Sequence, residues 1–181
     1  MQNIVYKRAE LNTELKQILQ LQNANLPNTV SETDQIKEAF LTVVHNFKLL
    51  KAMNNVCPHI IAVDKKKVIG YALCMDKAFN DSIDIIKPLF EKIEKNDMVS
   101  NLKYIVMGQV CIAKTYRGRG VFRKLYQVMK KVLQLDYDVL ITEVDTKNIR
   151  SVNAHRAIGF NVLYSYRSNQ QDWQIIYLNL K

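Results

Sequence analysis

No stretch of this chain approaches the ~18 consecutive apolar residues that a membrane-crossing helix needs, and its opening residues, MQNIVYKRAELN, hold no continuous apolar segment of the kind that directs export. Those two absences point to a cytoplasmic protein with no membrane partner. Cysteine is also scarce. Cys57, Cys74 and Cys111 are odd in number, lie in apolar surroundings and lack C-x-x-C spacing, so neither a disulfide framework nor a metal site is implied. They read as reduced core thiols. Acidic residues are outnumbered, 17 against 26 Lys and Arg, which leaves a net charge of +9. That balance suits a polyanionic cofactor, nucleic acid or an anionic surface. Repeats, low-complexity tracts and linkers are missing as well. A chain of 181 residues that is 48% hydrophobic can bury a real core, and residues 1–181 read as one α/β domain.

Taken in order, Ile4–Arg8 reads as a short strand. Leu11, Leu15, Ile18, Leu19 and Gln22 then fall on one helical face, closed at Leu26-Pro27-Asn28. Ser31–Phe40 has the pattern of a second short helix, Leu41–Val44 is β-rich, and a further helical segment runs from Asn46 to just before Pro58. Residues 24–58 therefore form a helical excursion that either walls an acceptor pocket or covers the surface. His59–Val63 and Val68–Met75 predict a hairpin turned at Asp64-Lys65-Lys66-Lys67. Asp84–Lys95 is helical with Pro88 in its first turn, Tyr104–Ile112 a buried central strand, and Val139–Val144 the next strand. Asn148–Ile158 is a helix stopped by Gly159, and Asn161–Ser168 with Trp173–Asn179 closes the chain as an antiparallel pair. The expected fold is a mixed sheet of about six or seven strands flanked by helices.

The chemistry concentrates in Tyr104–Lys131. A strand runs through Lys114-Thr115-Tyr116 into Arg117-Gly118-Arg119-Gly120, and Val121, Leu125, Val128, Met129 and Val132 follow at helical spacing. Strand, glycine turn and helix start together hold phosphate: the first turn of a helix presents unpaired N–H groups and the positive end of its dipole. Between Ile112 and Leu135 stand seven Lys or Arg and no Asp or Glu. Two phosphate motifs are nonetheless absent. Arg123 occupies the place of the third glycine in a dinucleotide fingerprint, and no Gly-Lys-Ser/Thr follows for a nucleoside triphosphate loop.

With those excluded, the segment resembles the central motif of the GNAT N-acetyltransferases, Q/R-x-x-G-x-G/A. Arg117 fits its first position and Gly120 its glycine, while Phe122 departs from the final Gly or Ala. Downstream, Glu143-Val144-Asp145-Thr146-Lys147-Asn148-Ile149-Arg150-Ser151 and then Gly159-Phe160 resemble the family's E-V-x-x-x-N-x-x-S…G-F, so residues 104–160 carry the likeness. The resemblance implies a single-domain GNAT fold with acetyl-CoA as co-substrate. It implies that the backbone of Val110, Cys111 and Ile112 pairs with the pantetheine arm. Arg117, Gly118, Arg119, Gly120, Val121, Phe122 and Arg123 would cradle the pyrophosphate, and Asn148 would bond the pantetheine region. Gly108 is the expected bulge at which the neighbouring strand diverges.

Two side chains are candidates for proton transfer. Glu143 lies on an otherwise apolar strand, where a carboxylate is costly unless paired or functional. In some relatives of the family the matching glutamate accepts a proton from the substrate ammonium, often through water. His155 shares a helix face with Asn148 and stands where relatives carry a tyrosine that protonates the leaving thiolate; proton donor, cofactor contact and packing are all open to it. Tyr71, Tyr164 and Tyr166 are candidate acceptor-side rings, and His45 and His59 read as structural. The reading is N-acetyl transfer to a primary amine by direct attack in a ternary complex, the acceptor being either a small molecule or a protein amine. The family often forms homodimers. A catalytically degenerate CoA-binding sensor is the alternative; nucleic acid is set aside, because no recognition motif accompanies the charge.

Overall fold

The computed structural model describes residues 3–26, 44–168 and 170–181. The helix expected over Ser31–Phe40 and the extended residues 41–43 lie outside them. The described residues form β1 (Val5–Arg8), α1 (Asn12–Asn23), α2 (Phe47–Val56), β2 (Ile60–Asp64), β3 (Lys67–Met75), α3 (Lys87–Glu94) and β4 (Tyr104–Ile112), and then α4 (Val121–Leu133), β5 (Val139–Asp145), α5 (Ile149–Arg156), β6 (Asn161–Ser168) and β7 (Gln171–Asn179). The strands make one seven-stranded mixed sheet in the order β1-β2-β3-β4-β5-β7-β6. The chain divides into two compact units, Met1–Cys74 with Gln109–Met129 and Met75–Gly108 with Lys130–Lys181. Among the described residues no helix is long and apolar enough to cross a membrane.

In the first unit, α1 turns Leu15 and Ile18 into a core shared with Ala9, Leu50, Ile61, Val68, Tyr71, Leu73 and Cys111. Its start is held by Glu14, whose carboxylate accepts from the Glu10 and Leu11 amides at 2.9 and 3.0 Å and meets Lys7 Nζ at 2.9 Å. Asn46 caps α2 by accepting from the Leu49 amide at 2.9 Å. The β2–β3 hairpin turns on Lys65 and Lys66, both left-handed at φ 46° and 68°, as a two-residue hairpin loop requires. His59 is buried and occupied on both ring nitrogens: Nε2 is 3.2 Å from the Leu50 carbonyl and Nδ1 accepts from the Cys74 amide at 3.1 Å. His45 lies 2.9 Å from Gln22 Oε1. Burial pushes both imidazoles down to about 4, which fits the structural roles expected of them.

In the second unit, Pro88 sits in the first turn of α3, where its missing N–H costs nothing. That helix buries Leu89, Phe90 and Ile93, with the Phe90 ring 6.4 Å from that of Tyr104. The parallel β4–β5 ladder pairs Tyr104, Ile105 and Val106 with Val139, Leu140 and Ile141, and it ends there. Gly108 therefore is not where that pairing stops. The ladder ends two residues earlier, and a Cβ on Gly108 would stand 3.7 Å from Met75 Sδ in ordinary contact. β5 continues against β7, and β7 against β6, both antiparallel, with a register shift between Val162 and Tyr164. Helix α5 ends at Arg156, two residues short of the expected Ile158, because residues 157–159 turn through Gly159 at φ 98°.

Candidate functional site

The first set of site residues lies inside the first unit. β4 is not buried throughout: Tyr104–Met107 are buried, whereas Val110 and Ile112 are half-buried. Cys111 points the other way into the core, and burial pushes its thiol up to about 11. It is therefore a packed thiol and not a thiolate. Cys57, Cys74 and Cys111 are all buried, and no disulfide joins them. Gly70 on β3 allows the tight packing here. A Cβ there would stand 3.3 Å from the Cys111 carbonyl and 3.4 Å from a Val121 methyl, so backbone meets backbone across the pair. The Ala113 amide bonds the Ile69 carbonyl at 2.9 Å and closes the strand end.

Beyond Ala113 a 3-10 turn, Lys114–Tyr116, leads to two glycines in the left-handed region, Gly118 at φ 74° and Gly120 at φ 77°. Nothing lies within 4 Å of a Cβ added at either, so the requirement for glycine is conformational and the space beside the backbone is open. The first intrahelical bond of α4 runs from the Lys124 amide to the Gly120 carbonyl at 3.1 Å, so the amides of Val121, Phe122 and Arg123 point along the axis toward the turn. No acidic residue stands in that first turn. Gly118, Arg119, Gly120 and Arg123 are exposed. The Phe122 ring packs 4.8 Å from the buried Tyr126 ring.

Side chains hold the turn in place, and the sequence signalled none of these partners. Arg117 donates from Nε to the Ile112 carbonyl at 3.0 Å and from its terminal nitrogen to Asn25 Oδ1 at 2.6 Å, binding the turn to the strand end and to the end of α1. Its guanidinium thus has a scaffolding task that the expectation of a phosphate contact did not include. Tyr116 donates to the buried Asp64 at 2.6 Å, and Arg119 lies 5.6 Å over the Tyr116 ring. Tyr71, one of the candidate acceptor-side rings, is fully buried and donates to Gln109 Oε1 at 2.6 Å; it is a core residue.

The second set lies inside the second unit. Asn148 caps α5, its side-chain oxygen accepting from the Ser151 amide at 3.0 Å. His155 is 2% exposed, its Nδ1 donates to the Ser151 carbonyl at 2.9 Å, and the ring meets Phe160 edge-on at 5.1 Å. Burial lowers its imidazole to about 4, so it is neutral at pH 7 and holds no spare proton for a leaving group. Of the three roles open to His155, these surroundings fit packing.

Glu143 differs from both. Register places it opposite Ile175, which in turn faces Tyr164, and the next row is Asp145, Trp173 and Tyr166. Cross-strand partners share a face, so one side of β5-β7-β6 carries a carboxylate among aromatic rings. Glu143 Oε1 is enclosed without a hydrogen-bond partner. Burial pushes its carboxyl up to about 7, against the opposing pull of the Lys92 ammonium. Lys92 itself, from α3, sits 4.4 Å over the Tyr166 ring, and the Tyr164 and Tyr166 rings stack at 6.3 Å. Lys92 escaped the sequence reading, because nothing in its spacing distinguishes it from the other lysines. Among the described residues no group of three or more His, Cys, Asp or Glu is placed to hold a metal ion.

Comparison with known proteins bears on both sets. The sequence pattern of the acetyltransferase (GNAT) family matches residues 15–160, which spans them. No curated protein matches the chain in sequence. Solved structures match along its full length: a chain of the NatC complex bound to Gag peptide and CoA is 22% identical, covers 100% of each chain and superposes with a TM-score of 0.68. YncA of Salmonella typhimurium, solved with its cofactor acetyl-CoA, is 16% identical over 99% of this chain and 95% of its own, at 0.65. An N-acetyltransferase from Staphylococcus aureus is 17% identical over 99% of both chains, at 0.66. At these identities the likeness concerns the fold.

Proposed function

Because the chain belongs to the acetyltransferase (GNAT) family, we propose that it transfers the acetyl group of acetyl-CoA to a primary amine, with Glu143 as the base that readies the amine. The observation that carries this reading is the Glu143 carboxyl, enclosed, lacking a hydrogen-bond partner on Oε1 and raised to about 7. A structural glutamate would be paired. One poised near neutrality both holds and releases a proton at physiological pH. The co-substrate side is supported by the basic, open turn at Gly118 and Gly120 and the helix start behind it, which suit a diphosphate. The backbone of Val110–Ile112, where Val110 and Ile112 are half-buried, would take the pantetheine amides as an added length of strand.

The steps balance without a covalent enzyme intermediate. The acceptor ammonium passes one proton to the ionised Glu143, leaving a neutral amine and a carboxylic acid. The amine nitrogen attacks the thioester carbonyl, and an N–H of the Val110–Ile112 backbone steadies the oxyanion. The carbon–sulfur bond breaks, the second proton of the nitrogen goes to the CoA sulfur, and Glu143 returns its proton to water. Cys111, a buried thiol held at about 11, has no part as nucleophile. Isothermal titration with CoA tests the co-substrate: binding at roughly tens of micromolar or tighter is expected, and no heat at that level overturns the reading. CoA release across a panel of primary amines, small molecules and peptide N-termini together, then tests turnover.

A further inference from the structure

The segment 76–103, between β3 and β4, inserts α3 into the second unit and delivers one cation to the aromatic face that carries Glu143. Lys92 Nζ lies 4.4 Å from the centre of the Tyr166 ring, and Tyr166 stands one cross-strand row from Glu143, on the same face. A half-buried lysine resting on a ring has given up part of its water, and gains the ring's electrostatic attraction in exchange. That arrangement fixes where the charge sits. The titratable and aromatic groups sharing this face are Tyr164 and Tyr166 from β6, Trp173 and Tyr177 from β7, Asp145 from β5 itself, and Lys92 from α3. Asp145 is engaged locally, accepting from the Lys147 amide at 2.9 Å and from Gln171 at 3.4 Å. On α5, which also packs against β5, His155 is neutral. Of these groups Lys92 alone is a cation.

We propose that Lys92 is a positioning residue for the base: its ammonium, seated on the Tyr166 ring, is the counter-charge that makes an ionised Glu143 tenable in an enclosed, apolar seat. The inference rests on the reading of Glu143 as the base. The pull of Lys92 opposes the effect of burial on Glu143, as a counter-charge on the same face must. Without it a smaller fraction of the carboxyl would be ionised at neutral pH, and fewer molecules could accept the ammonium's proton. The ring serves the same end: it seats the ammonium 4.4 Å from its centre, on the face that carries Glu143.

The test needs no knowledge of the acceptor. In protein labelled with carbon-13 at the glutamate carboxyls, the Glu143 resonance is followed against pH in wild type, Lys92→Met and Lys92→Arg, with Glu143→Gln identifying the signal. Methionine keeps the packing on the ring and removes the charge, so the Glu143 midpoint is expected to rise by about half a pH unit or more. Arginine keeps the charge and should restore it. A midpoint unmoved in Lys92→Met, in protein whose melting temperature shows it folded, overturns the proposal. Glu143→Gln with wild-type turnover in the CoA-release assay overturns the base assignment instead, whatever the titration gives. With both readings correct, the acidic limb of the kcat/KM profile moves with the midpoint in Lys92→Met and moves back in Lys92→Arg, which loss of packing alone would not produce.

Discussion

The turn at Arg117–Gly120 and the face around Glu143 serve one proposed reaction by opposite means. The turn is open and made of backbone: two left-handed glycines with nothing beside them, a helix start, and basic side chains in water. The face is largely closed and made of side chains: a half-buried carboxylate with one oxygen enclosed, on a side of the sheet that carries aromatic rings, with a lysine carried in from a separate helix. An open backbone site recognises an anion through geometry that each residue's φ and ψ supply locally. A closed side-chain site acquires its acidity from what surrounds it, and no residue in it has that property alone.

That contrast can be broken first at Glu143, where the largest effect is expected. Glu143→Gln should lower kcat/KM toward a turned-over amine by about 10²–10⁴-fold while leaving the affinity for CoA nearly unchanged. In wild type, activity should fall about tenfold per pH unit below the Glu143 value of about 7, since only the ionised form accepts a proton. Stability carries the opposite sign. A carboxyl raised in the folded state is compatible with its fold while protonated, and it costs stability as pH rises from the unfolded value through the folded one, here a window from about 4.5 to about 7. Glu143→Gln should therefore raise the melting temperature at pH 8 more than at pH 5. The difference corresponds to on the order of 2 kcal/mol, less whatever water reaches the half-buried carboxyl.

A smaller effect, of a different kind, is expected at the turn. Gly120→Val places an L residue at φ 77°, which costs about 1–2 kcal/mol of conformational energy with no clash to relieve. CoA affinity should drop by roughly tenfold or more with only a modest fall in melting temperature, because the added side chain projects into the open space beside the turn. Unchanged CoA affinity would remove the phosphate role from Gly120. Smallest of all, Cys111→Ala should leave turnover within about threefold of wild type, and its cost, about 1–2 kcal/mol, should appear in unfolding. A loss of activity on the scale of Glu143→Gln would bring a covalent step back into consideration.

The two regions were unequally legible in the sequence. The glycine turn, the strand before it and the helix after it stand where pattern and turn chemistry placed them, and β4 spans Tyr104–Ile112 as expected. Phe122, the residue that departs from the family motif, was resolved by packing: its ring lies on Tyr126. Arg117 was legible as a basic group but not as the tie between Ile112 and Asn25, since Asn25 is 92 residues away in the chain. Tyr71 was misread because a tyrosine's composition and spacing do not say whether its hydroxyl finds Gln109 in the core. Glu143 was visible as an anomaly, a charge on an apolar strand, yet its acidity was not.

What the sequence by itself determined is everything that short-range physics writes: the periods of strand and helix, the two positions that need glycine, the surplus of positive charge around them, and the family likeness those local pieces carry. Only the tertiary structure decided how far Glu143 is enclosed, that Lys92 rests on Tyr166 on the same face, and that His155 is sealed and neutral. The reason is physical. Backbone geometry is set by each residue and its immediate neighbours, whereas desolvation and charge–charge energy depend on groups that the fold brings together from far apart in the chain.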